Sequence, residues 1–97
     1  MRRLRLAHSA ERELTAIWTY TLSEWGEKRA NNYLAALEQA FSQLLENPSM
    51  GKARPDIARC YRALTVKKHC IFYCIATESV DVLRILHGRM DAWTHGR

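Results

Sequence analysis

The chain is predicted to be an α+β protein: an N-terminal strand, an α-helical hairpin, then a three-stranded antiparallel β-sheet with a short C-terminal helix, in the order β-α-α-β-β-β. Three observations predict it. Apolar residues recur at helical spacing from Ala10 to Leu45. A Trp25-Gly26 break divides that stretch in two. Beyond a loop at residues 47–58, which holds both prolines, the apolar period changes from helical to alternating. With 97 residues the chain is read as one domain, 1–97.

Each element has a local reason. Leu4 and Leu6 alternate with Arg3 and Arg5, which predicts a short strand with one buried face. Ser9 is the expected N-cap, since its hydroxyl can accept an otherwise unpaired N–H of the first turn. Ala10, Leu14, Ile17, Trp18, Thr21 and Trp25 then follow helical spacing. Gly26 can take the positive-φ conformation that ends a helix at low cost. A second stripe of Ala30, Tyr33, Leu34, Leu37, Phe41, Leu44 and Leu45 predicts a second helix, stopped at Pro48. Residues 60–65, 69–76 and 80–87 read as strands, the last two joined by a short loop at 77–79. A three-residue loop sets Ala76 opposite Val80, and hence Tyr73 opposite Leu83, Ile71 opposite Ile85 and His69 opposite His87. That register makes one strongly apolar face for the helices to cover.

Composition narrows the function classes. Hydrophobic content of 47% and charged content of 26% are ordinary for a globular protein. No apolar run approaches the roughly 20 residues that cross a bilayer. The start of the chain has arginines but no apolar segment behind them, so it does not read as a signal peptide, and a cytoplasmic location is expected. Cys60, Cys70 and Cys74 are odd in number and form no paired framework, so they are expected to be reduced core residues. The net charge of +5 is unevenly placed. Residues 9–46 carry six acids against three bases, a net −3. Residues 47–97 carry nine bases against four acids, a net +5, and Arg2, Arg3 and Arg5 add +3. A basic half of this kind suits an acidic partner or a phosphate backbone without choosing between them.

Chemistry-bearing motifs are few. The four glycines, at 26, 51, 88 and 96, make no phosphate loop, and the cysteines lack the spacing of a zinc site, so no metal or cofactor is expected. Strand-interior cysteines are normally inert packing. His69 and His87 could form a proton-transfer or ligand site, or could be polar trim at the edge of the core; metal-free RNA cleavage would need such groups together with cations. The last strand leads directly into His87-Gly88-Arg89-Met90-Asp91, with Trp93 close behind. This block either forms a functional surface, or caps and closes the sheet as an ion pair and a short helix.

The residues themselves carry a resemblance that spans nearly the whole chain. Ala10-x-x-x-Leu14-x-x-Ile17-x-x-Tyr20, Trp25-Gly26 and Asn47-Pro48-x-x-Gly51 are followed by Tyr61-Arg62, His69-x-Ile71-Phe72-Tyr73 and Arg84-Ile85-Leu86-His87-x-Arg89-Met90-Asp91. In this order and spacing the chain resembles the ParE-like branch of the RelE/ParE toxin superfamily, the toxins of bacterial type II toxin–antitoxin systems. Cys60, where ParE-like chains usually have Gly, is a departure. In the ribonuclease branch the sheet face opposite the helices carries several Lys and Arg. Here Arg62 and Arg89 match that set, while Leu64 and Cys70 stand where cations are expected, so a phosphorane would lack part of its electrostatic clamp.

The resemblance therefore implies a toxin that inhibits DNA gyrase by binding, with no catalytic residues of its own. It implies neutralisation by a ParD-like ribbon-helix-helix antitoxin whose acidic tail folds along the toxin, giving a hetero-oligomer. No membrane association and no direct sequence-specific nucleic acid binding are expected. His87, Arg89, Met90, Asp91 and Trp93 are the expected target-binding residues, because an aromatic anchor among charges concentrates binding energy. Leu14, Trp18, Arg62 and Arg84 are the expected antitoxin-binding residues. The alternatives are a ribosome-dependent mRNA endoribonuclease of the RelE kind and a non-toxic structural relative.

Overall fold

The computed structural model describes residues 2–88. Strand β1 (Arg3–Leu6) leads into helices α1 (His8–Trp25) and α2 (Glu27–Glu46). A 3-10 turn (Pro48–Met50) precedes strands β2 (Lys52–Ala53), β3 (Arg62–Val66), β4 (His69–Ile75) and β5 (Ser79–His87). The α+β class and the helical hairpin are as the sequence predicts. The sheet is larger than predicted, with five strands in the order β1-β5-β4-β3-β2. β1 joins it by pairing parallel to β5, Leu4 against Val80 and Leu6 against Val82, while the other neighbours are antiparallel. The two-residue β2 comes from the segment read as loop. The expected C-terminal helix lies outside the described residues.

α1 starts before the expected cap. Ala7 is its N-cap, with no side-chain capping bond, and Ser9 is already inside the first turn. The reason is that Ala7 belongs to both elements. Its N–H donates to the Val82 carbonyl at 2.9 Å, extending the parallel pairing, while its carbonyl accepts from Glu11 N–H at 2.9 Å. Gly26 joins the helices as a single residue at φ 91°, a conformation that L side chains rarely adopt. It receives the end of α1 through its N–H to the Leu22 carbonyl and begins α2 by accepting from Ala30 N–H, both at 3.0 Å.

The helices bury Ala10 and Ile17 of α1 and Leu37, Ala40, Phe41 and Leu44 of α2 against Ile71 and Tyr73 of β4 and Val80, Val82 and Ile85 of β5. This core corrects the predicted hairpin register. Ala76 N–H bonds the Ser79 carbonyl at 2.8 Å across a two-residue turn, so Ile75 faces Val80 and Tyr73 faces Val82. An irregularity then absorbs Leu83, and Phe72–Arg84, Ile71–Ile85 and His69–His87 pair as predicted. The uninterrupted register would have put Asp81 on the helix-side row between Ile75 and Leu83, and burying a carboxylate there without a partner is far costlier than a bulge. With the bulge, Val80 and Val82 fill the core. Asp81 turns outward, accepts from Ser79 Oγ at 2.7 Å and faces Arg5 at 3.9 Å.

The cysteines also differ from expectation: Cys60 and Cys74 are joined in a disulfide, with Cα atoms 5.2 Å apart. The ladder explains the encounter. Arg62 pairs with Tyr73, so the chain just before β3 runs alongside Cys74. Sequence spacing cannot show this, because it depends on register.

Ile71 is fully buried, and Ile71→Ala is expected to lower stability by about 2–5 kcal/mol in urea unfolding. The bulge has its own check. Val82→Asp should abolish cooperative unfolding whereas Leu83→Asp should remain folded, and the opposite outcome would restore the uninterrupted register.

Candidate functional site

Three polar clusters of the described residues hold the fold in register, and they take in Arg62, Arg84, His69 and His87 of the residues singled out in the sequence. The first joins α2 to the sheet. Tyr73 is completely buried, yet its hydroxyl donates to the Pro48 carbonyl at 2.6 Å and accepts from Gly51 N–H at 2.9 Å. Gly51 is required because a Cβ there would overlap the Tyr73 hydroxyl and lie 2.8 Å from its ring. Arg62 completes the cluster, its guanidinium donating to the Gly51 carbonyl at 3.1 Å and the Ser49 carbonyl at 2.8 Å. The motifs around Pro48, Gly51, Arg62 and Tyr73 are thus one hydrogen-bonded joint.

The second cluster closes the open edge of β5. β1 pairs only as far as Val82, so among the described residues the rest of that edge has no strand partner. Glu13 of α1 fills the gap: one carboxylate oxygen accepts from Ile85 N–H at 2.7 Å, and the other meets the Arg84 guanidinium at 2.6 and 2.8 Å. The hydrogen bond to Glu13, ahead of the opposing effect of burial, raises the Arg84 pKa. Sequence reasoning missed Glu13. The available signal was a carboxylate beside Leu14, between Ala10 and Ile17 on the buried stripe, where a charge needs a partner.

The third cluster stands where β4 begins and β5 ends. The Tyr33 hydroxyl of α2 accepts from Lys68 N–H at 3.2 Å and lies 2.5 Å from His69 Nδ1. His69 and His87 stack edge to face, with ring centroids 5.3 Å apart. Burial, and then the neighbouring His87, push the His69 pKa below 6.5. Burial raises the Tyr33 pKa, partly opposed by the Lys68 hydrogen bond. The phenol donates most simply to a neutral His69 accepting at Nδ1.

The structure brings together part of the expected antitoxin set. Leu14 and Trp18 are partly exposed on α1, Leu14 next in sequence to Glu13 of the Glu13–Arg84 contact and Trp18 five residues past Glu13 along the helix. Arg62 is set apart on β3, beyond β4. Of the expected target set, His87 ends β5, partly exposed. Arg89, Met90, Asp91 and Trp93 lie outside the described residues. Among the described residues no group of His, Cys, Asp and Glu side chains could hold a metal ion, and no helix is long and apolar enough to cross a membrane.

A family profile described as the ParE toxin of type II toxin-antitoxin system, parDE, matches residues 4–92. The chain belongs to the ParE toxin family. Among its ParE relatives, Toxin ParE1 of Mycobacterium tuberculosis is 38% identical over 87 residues, 89% of either chain. Toxin ParE1 of Caulobacter vibrioides is 32% identical over 95 residues, 98% of either chain. Toxin ParE of Escherichia coli is 34% identical over 91 residues, 92% of this chain and 87% of that one. The fold is similar to a solved structure titled the chromosomal ParDE TA system from P. aeruginosa. The TM-score is 0.77 at 20% identity, covering 90% of this chain and 96% of that one.

Two outcomes follow from this geometry. Tyr73→Phe strands the Gly51 N–H and the Pro48 carbonyl in the interior, and is expected to lower stability by about 1–3 kcal/mol in chemical denaturation. His69 should make stability depend on pH. An unfolded chain takes up its proton near 6.5 and the folded chain resists it, so the unfolded state binds more protons below that value. Melting temperature should fall as pH drops through about 6.5 and level off below the folded-state value. In His69→Gln that part of the slope should disappear.

Proposed function

We propose that this chain is a toxin that acts by binding DNA gyrase and is held inactive by a ParD-like antitoxin in a cytoplasmic hetero-oligomer. The observation that carries the reading is the ParE family match over residues 4–92. Two features of the sheet support binding rather than RNA cleavage. Leu64 and Cys70 occupy strand positions where a ribonuclease of this superfamily would place cations. The cations that remain on the central strands are engaged internally, Arg62 by the Ser49 and Gly51 carbonyls and Arg84 by Glu13, so neither is poised to stabilise a pentavalent phosphate.

The proposed antitoxin surface runs along α1 through Leu14 and Trp18 to Arg84, with Arg62 as a separate contact. An initially disordered tail lays apolar side chains against Leu14 and Trp18 there as it orders, with the Glu13-paired Arg84 and the carbonyl-bound Arg62 at its margins. The proposed target surface is His87 with Arg89, Met90, Asp91 and Trp93.

Induced expression with and without the neighbouring gene tests the function. Filamentation with a DNA-damage response, relieved by a small acidic neighbour with a ribbon-helix-helix start, is the expected result. Rapid loss of translation would replace this reading with ribonuclease activity, and normal growth would remove both. For the site, Arg89→Ala combined with Trp93→Ala should abolish toxicity while antitoxin binding and the melting curve stay nearly intact. A double variant that unfolds, or that stays fully toxic, would move the target surface to the sheet.

A further inference from the structure

A cavity of about 330 Å³ opens between the tip of the helical hairpin and the turn joining β3 to β4. Neither the family match nor the surfaces proposed above assign it a role. Trp25, Arg29, Asn32 and Tyr33 line it from the helices, and Lys67 and Lys68 from the turn. Its volume lies within the range of small-molecule sites. Three cations converge there, and among the described residues no carboxylate lines it. Like charges gathered on a concave surface repel one another and raise the local concentration of anions.

The backbone of the turn that carries two of those cations is held in place. A two-residue hairpin turn favours Asn or Gly, yet this one is Lys67-Lys68, with Lys67 at φ 56°. The Tyr33 hydroxyl ties the turn to α2 by accepting from Lys68 N–H. Gly88 N–H donates to the Lys68 carbonyl at 2.7 Å on the other side. The aromatic component is equally specific. Trp25 remains 58% exposed even with the Arg29 guanidinium 5.0 Å from its ring centroid, so an indole surface is presented to solvent beside the cations. An aromatic platform next to converging Lys and Arg, with the Asn32 amide at hand, matches a phosphate joined to a planar base.

We propose that this cavity binds a nucleotide unit, its phosphate held by Arg29, Lys67 and Lys68 and its base stacked on Trp25, without regard to base sequence. The unit could be supplied by a free nucleotide or by an unpaired nucleic acid strand, and the chemistry of recognition is the same. This site does not depend on which macromolecule the toxin targets.

The test is calorimetric titration of the full chain at low salt with ATP, with a short single-stranded oligothymidylate and with inorganic phosphate. Saturable binding of ATP or of the oligonucleotide is expected, and which of them binds identifies the source. Lys67→Gln with Lys68→Gln should weaken it by about tenfold or more, and Trp25→Ala by about fivefold or more. These side chains are exposed, so melting curves should stay nearly unchanged and exclude misfolding as the cause. Absence of binding to both nucleotide probes would overturn the proposal. So would affinities unchanged in the variants, or inorganic phosphate binding as tightly as the nucleotide.

Discussion

Tyr73 sits at the middle of β4 with no exposed surface, and its hydroxyl is where the helical layer and the sheet are tied together. A buried phenol without partners would be costly, so its place in the core depends on the Pro48 carbonyl and the Gly51 N–H arriving from the end of α2. Those groups arrive only because Pro48 turns the chain and Gly51 has no side chain to keep the ring away. Arg62 holds the same segment from β3. The packing of α2 on the sheet, the entry into β2 and the position of β3 all follow from this joint. Residues that look like a family signature are thus explained first by the need to satisfy one hydroxyl.

The opposite side of the molecule has a different constraint. β1 is too short to cover β5, and an exposed strand edge is an invitation to pair with another chain. A carboxylate from α1 takes the Ile85 N–H and recruits Arg84 as its counter-ion. The contact sets the part of α1 that carries Glu13 and Leu14 beside a strand edge that is already engaged, with the partly exposed Trp18 further along the same helix. A partner docking along α1 therefore meets a helix face and a fixed guanidinium.

Much of the architecture was legible because it rests on periodicity. The stripes through Ile17 and Leu37 located both helices, Gly26 located their junction, and Ile71 and Ile85 were matched correctly. What was not legible depends on relations that no local pattern encodes. The bulge at Leu83 is decided by where Asp81 would fall. The Cys60–Cys74 bond is decided by how β3 and β4 align, and the failure of Ser9 as a cap by Ala7 being shared between strand and helix. β2 is too short to carry an alternating pattern. In the candidate site, Leu14, Trp18, Arg84 and His87 were visible as residue types near strand and helix surfaces. Tyr33 and Tyr73, which fix their surroundings, read as ordinary members of a stripe and a strand, and Glu13 as one acid among six in the charge count.

The irregularity at Leu83 has a consequence for how the β4–β5 hairpin tolerates change in length. An uninterrupted register would store one surplus residue in the turn; the observed one stores it four residues past Ser79, inside the strand. The two halves of β5 are therefore specified separately. Val80 and Val82 answer to the turn and to β1, whereas Ile85 and His87 answer to α1 and to the start of β4. Losing the residue at 83 would restore plain alternation with every inward side chain still inward, and gaining one in the turn could be balanced by the same loss. The His69–His87 end is in this way insulated from variation at the hairpin tip.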